Sequence, residues 1–107
     1  VLTTRLTKDW VPKDQALLRL RGNLGVFELA DAKGEVIYIG FAGGNSQFGL
    51  KGVVQEILQS VDAVSVRWEV NTAYLSRFKE LMMVHIADHG AAPVNNPPIK
   101  LGKLSPS

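Results

Sequence analysis

The sequence predicts a small α+β domain, a three-stranded antiparallel sheet flanked by helices, and three stretches carry that expectation. GVFELADAKGEVIYIG, residues 25–40, sets two apolar runs around a polar turn and reads as a hairpin. AVSVRWEV, residues 63–70, alternates apolar and polar side chains, the period of a strand packed on one face. AYLSRFKELMMVHIADHG, residues 73–90, repeats its apolar positions at helical spacing up to a glycine.

Residues 1–24 read as an arm bearing one short helix. Pro12 stands in the first turn of that helix, before KDQALLRLR, where a missing N–H is tolerated. Ala16, Leu17, Leu18 and Leu20 are too few to hold it alone, so it should pack on the main body, with Trp10 a candidate anchor. The core domain, residues 25–96, begins with strands over 25–30 and 35–40, joined by Asp31-Ala32-Lys33-Gly34. If those four residues form the loop, Ala30 pairs with Glu35, Phe27 faces Tyr38, Val26 faces Ile39 and Gly25 faces Gly40. The two aromatics then share a face beside a glycine pair that permits close approach. A three-residue loop with Gly34 in a bulge instead puts the aromatics on opposite faces.

FAGGNSQFG is a loop by its glycines, and a helix follows from about Leu50, packed through Leu50, Val54, Ile57, Leu58 and Val61. Gly52 weakens that helix by about 1 kcal/mol relative to alanine. In the third strand Val64, Val66, Trp68 and Val70 face one way and Ser65, Arg67 and Glu69 the other. The last helix should run from about Thr72 to His89, capped by Asn71 or Thr72 and stopped by Gly90, with a stripe of Tyr74, Phe78, Leu81, Met82 and His85. Residues 97–107 form an irregular, proline-broken tail.

A chain of 107 residues suits one domain, and 46% hydrophobic with 21% charged residues calls for a packed core. The absence of cysteine excludes disulfides, thiolate metal sites and a cysteine nucleophile, and fits a reducing compartment. No apolar run approaches the roughly 18 residues of a membrane span. VLTTRLTKDW lacks the apolar stretch of a secretory signal. A cytoplasmic location and no membrane association are therefore expected. Net charge is +2, unevenly spread. Arg5, Lys8, Lys13, Arg19 and Arg21 outweigh Asp9 and Asp14 at the N-terminal end, and Lys100 and Lys103 lie in the tail. Such basic ends can meet phosphates or stand as solvated arms.

GVF, ten residues, then YIG resembles the paired signature of the GIY-YIG nuclease domain family. Glu80 in RFKELMMVHIADHG and Asn96 in PVNN occupy the places of that family's helix glutamate and terminal asparagine, so the resemblance spans roughly residues 25–96. It implies a three-stranded antiparallel sheet with flanking helices, and hydrolysis of nucleic acid, DNA above all, with Mg²⁺ or Mn²⁺. Glu80 would hold the metal, Tyr38 would orient the attacking water, Lys51 would offset charge on the phosphate, and Asn96 would support the cleft. Phe27, Gly40 and Gln55 would border the substrate. A protein partner or a second copy would supply targeting.

Three positions depart from the family: Phe27 replaces its first tyrosine, Lys51 its arginine and Gln55 its histidine. They favour the rival expectation, a module that kept the fold, lost the reaction and binds nucleic acid or protein.

Each candidate also has a plainer reading. Glu80 shares a helix side with Ala73, Val84 and Ala87, which suggests partial desolvation, but it also stands three residues from Arg77 and can pair with it. Tyr38 can be a packed cross-strand aromatic. Lys51, Gln55 and Gln59 form a polar line that suits a solvated face, and Asn96 suits turn chemistry. His85 and His89 have a spacing that can bind metal, but no third ligand is evident, and His85 reads better as packed. The loop Gly43-Gly44-Asn45-Ser46 lacks the lysine of a phosphate loop.

Overall fold

The computed structural model describes residues 5–97, so almost all of the expected tail at 97–107 lies outside the described residues. The chain folds as α+β, with four strands rather than three and three helices. In order these are β1 Val11–Pro12, α1 Lys13–Arg19, β2 Gly25–Ala30, β3 Val36–Ala42, α2 Gly49–Leu58, β4 Ser65–Val70 and α3 Tyr74–His89. The sheet runs β1-β4-β2-β3, and every neighbouring pair is antiparallel. β1 escapes a periodicity search because two residues cannot show alternation. It lies at the sheet's edge, where a proline is tolerated.

The hairpin takes the three-residue loop, with Asp31 and Glu35 flanking residues 32–34 and Gly34 left-handed, but a further bulge changes the pairing of the aromatics from either expected register. Phe27 pairs with Gly40, Leu29 with Tyr38 and Gly25 with Ala42. The ladder shifts between Leu29 and Ala30, whose partner is Val36, so Ile37 is left as an extra, bulged residue. Local turn chemistry sets this. The Asp31 carboxylate accepts the Lys33 and Glu35 amides, the Asp31 amide donates to the Glu35 carbonyl, and Gly34 takes a left-handed φ of 85°. The bulge turns both Ile37 and Tyr38 toward the same side of the sheet, where both pack in one cluster. Phe27 and Tyr38 thus share a face after all, as diagonal neighbours.

Helices cover both faces. On one, α1 and α2 enclose Phe27, Leu29 and Val66 with Ala16, Leu20, Leu50 and Val54. On the other, α3 lays Leu81 and Met82 on Val26 and Ile39, joined by Leu6 from the arm. The N-terminal arm therefore contributes to both cores.

α2 starts one residue before Leu50 and stops at Leu58, short of Val61, where Ser60 and Val61 bond back to the Ile57 carbonyl. α3 begins at Tyr74, two residues after the expected Thr72, because Asn71 closes the preceding turn by accepting the Ala73 amide. It ends as expected at Gly90, whose left-handed conformation lets its N–H reach the Ile86 carbonyl. Among the described residues no helix is long and apolar enough to cross a membrane.

The two sheet edges differ. Along β3, Asn95 donates to the Ile37 carbonyl, and the Asn96 side-chain amide both accepts the Ile39 N–H and donates to its C=O. Along β4, β1 pairs only with Ser65 and Val66.

Candidate functional site

The signature hairpin is built as packing. Phe27 is fully buried, so it cannot border a substrate. Its ring lies 6.0 Å from that of Tyr38 with the planes 17° apart. Gly40 does not admit an outside group, because a Cβ there would stand 2.8 Å from Phe27 Cε1 and 2.9 Å from Tyr38 Cε1. The Cβ of a residue at 25 would run into the Glu69 carbonyl oxygen. Both glycines are spaces already filled by the chain itself. Tyr38 is half-buried, and burial pushes its phenol above the usual range, which opposes ionisation.

The proposed catalytic groups are not brought together. Tyr38 pairs with Leu29 and faces the α1/α2 side, whereas Glu80 lies on α3, which packs on the opposite face. The sheet stands between phenol and carboxylate. Glu80 is half exposed and held by Arg77 Nη1 at 3.1 Å, and its helix neighbours Ala73 and Ala87 are exposed too, so the expected desolvation does not arise. Lys51 and Gln55 are exposed on α2, as a solvated face requires. The N-terminal amides of α2 are already taken, Leu50 by the Asn23 carbonyl and Lys51 by the Arg21 carbonyl. Asn96 completes the backbone bonding of edge strand β3 at Ile39. Asn96→Ala should cost about 1–3 kcal/mol by orphaning both Ile39 groups. Faster hydrogen exchange at the Ile39 amide, with that loss in urea titration, is the expected result.

The acidic side chains on the α3 face are committed to ion pairs. Arg77 Nε meets Glu69 Oε2 at 2.9 Å, and its Nη2 donates to the Arg5 carbonyl. Burial alone would raise the Glu69 carboxyl, but hydrogen bonds from Arg77 and Asn71 and the charges of Arg77 and Lys8 hold it below its usual range. Buried Glu28 takes Arg67 Nε at 2.7 Å, and the same guanidinium lies 4.2 Å from the Trp10 ring centre. Arg5 grips Asp88 through both carboxylate oxygens. Among the described residues no three acidic or histidine side chains gather to enclose a metal.

What the residue pattern did not announce is a groove beside β4. It has a volume of about 450 Å³ and is lined by Lys8, Asp9, Val11, Arg19, Trp68, Glu69 and Val70. The Asn71 amide bonds the Leu24 carbonyl, and the β2–β4 register then alternates so that Glu69 and Arg67 turn their backbone groups toward β2. Trp68 and Val70 must turn theirs outward, past the end of β1 and into the groove. Val70 is 58% exposed, unusual for an apolar residue within a strand. Lys8, Asp9 and Arg19 form no ion pair among the described residues. The sequence signal was faint: an apolar strand end beside an arm too short in strand content to cover it.

A family model described as a domain of unknown function (DUF7508) matches residues 4–88, and the chain belongs to that family. No curated protein and no solved structure matches the chain.

Proposed function

We propose that this DUF7508 member is a binding module that adds an extended polypeptide strand to the open edge of β4, and that it does not hydrolyse phosphodiesters. The observation that carries the reading is the outward pair of backbone groups at Trp68 and Val70, standing over a groove of about 450 Å³. An incoming strand satisfies those groups through ladder bonds, while alternate side chains enter the groove. Trp68, Val11 and Val70 supply apolar surface for one of them. Arg19, which forms no ion pair among the described residues, suits a carboxylate on another. The separation of Tyr38 from Glu80 by the sheet, and the Arg77–Glu80 pair, weigh against the nuclease expectation.

Two measurements test this. Incubated with supercoiled plasmid and Mg²⁺ or Mn²⁺, the chain should nick no faster than Glu80→Gln; metal-dependent nicking lost in that variant would restore the enzyme. Peptides selected from a displayed random library should be extended and acidic, and should shift the amide resonances of Trp68 and Val70. Val70→Pro removes an outward N–H without breaking a ladder bond to β2, so it should abolish that binding. Undiminished binding by Val70→Pro would refute the edge site.

A further inference from the structure

His85 and His89 close the last turns of α3 with their ring centres 4.3 Å apart and their planes inclined by 34°. They are the chain's two histidines, and it has no cysteine, so no other imidazole or thiolate competes for a metal. Neither ring makes a hydrogen bond among the described residues. Two imidazoles bound to one metal at about 2.1 Å and a right angle hold their centres about 4.6 Å apart; a tetrahedral angle opens this to about 5.3 Å. The observed spacing places both rings within chelating reach of one ion, and imidazole donors suit Cu²⁺ and Ni²⁺.

We propose that His85 and His89 chelate a single late transition-metal ion, Cu²⁺ or Ni²⁺, leaving its remaining positions to water and an outside ligand. The helix end supports this, because the carbonyls of the final turn place partial negative charge beside the rings. The neighbouring charges do not oppose it. Arg5 is neutralised by Asp88 and Arg67 by Glu28, all four lining the small cavity under His85. Exposed Glu35 borders the adjoining hollow of about 240 Å³ together with both histidines but does not gather with them as a third ligand.

The test titrates the chain calorimetrically with Cu²⁺ and with Ni²⁺, beside His85→Ala and His89→Ala, and records the electron paramagnetic resonance of the Cu²⁺ complex. One ion per chain is expected, with two nitrogen couplings in the spectrum. Each variant should lose about 10²-fold in affinity as the second ligand ceases to be intramolecular. His89 is exposed, so its variant keeps the fold and gives a clean reading even if His85→Ala does not. Affinity unchanged in His89→Ala, or a spectrum with at most one imidazole, would overturn the site.

Discussion

Arg67→Met is expected to lower the unfolding free energy by about 3–5 kcal/mol in urea titration at neutral pH. The variant keeps the side chain's apolar bulk but strands the Glu28 carboxylate, which is only 5% exposed and takes its hydrogen bond from Arg67. It also removes the cation from the Trp10 ring. A pH profile separates the charge effect from lost packing. Burial raises the Glu28 carboxyl above its usual 4.5, against the lowering by the Arg67 charge and hydrogen bond and by the Arg77 charge. The folded chain therefore holds this proton more tightly than the unfolded chain. The Glu28 contribution to stability falls as pH rises from the unfolded value through the raised folded one. Without Arg67 the folded value rises further, so the decline in Arg67→Met should extend to higher pH. Adding Glu28→Gln should flatten it and recover much of the loss. A variant profile parallel to that of the parent would show that the pair contributes no more than volume.

Gly40→Ala should cost about 1–3 kcal/mol or more, a large effect for one methyl group. The new carbon would collide with Phe27 at 2.8 Å and with Tyr38 at 2.9 Å, and the Phe27 ring has no free volume to retreat into. Phe27→Leu opens that space at a cost of its own. The double variant should therefore lose less than the two single losses added together, by about 1 kcal/mol in a thermodynamic cycle. Additive losses would mean that the glycine serves some purpose other than lodging the ring. On this account the second half of the signature, Tyr38-Ile39-Gly40, is explained by the accommodation of Phe27, with no reacting group required.

Elements specified by neighbouring residues were legible from the chain alone. The two long helices, the alternation of β4 and the stop at Gly90 all depend on residues a few positions apart. The expected cap at Asn71 or Thr72 does not form, the N-cap being Ala73 with no side-chain cap bond. The hairpin register was not legible, because it depends on which backbone amides the Asp31 carboxylate accepts and on a bulge at Ile37. β1 was invisible because its two residues gain strand geometry only from β4. The candidate site failed to assemble for a related reason. The order of Phe27, Tyr38, Glu80 and Asn96 along the chain says nothing of which side of the sheet α3 covers. Small residues around Glu80 resembled a buried column, yet Ala73 and Ala87 face solvent, since alanine is indifferent to both environments. Asn96 looked like turn chemistry, and its real partner, Ile39, lies 57 residues away.

The contrast between the two flanks of the sheet bears on self-association. Asn95 and Asn96 cover β3 at the Ile37 carbonyl and at both Ile39 backbone groups, so under the proposed reading main-chain recruitment is directed to β4. If two copies met there, each would present to the outside the flank that Asn95 and Asn96 partly cover. Growth into fibrils, the hazard of any chain with unfilled strand positions, is thus hindered on that flank at Ile37 and Ile39.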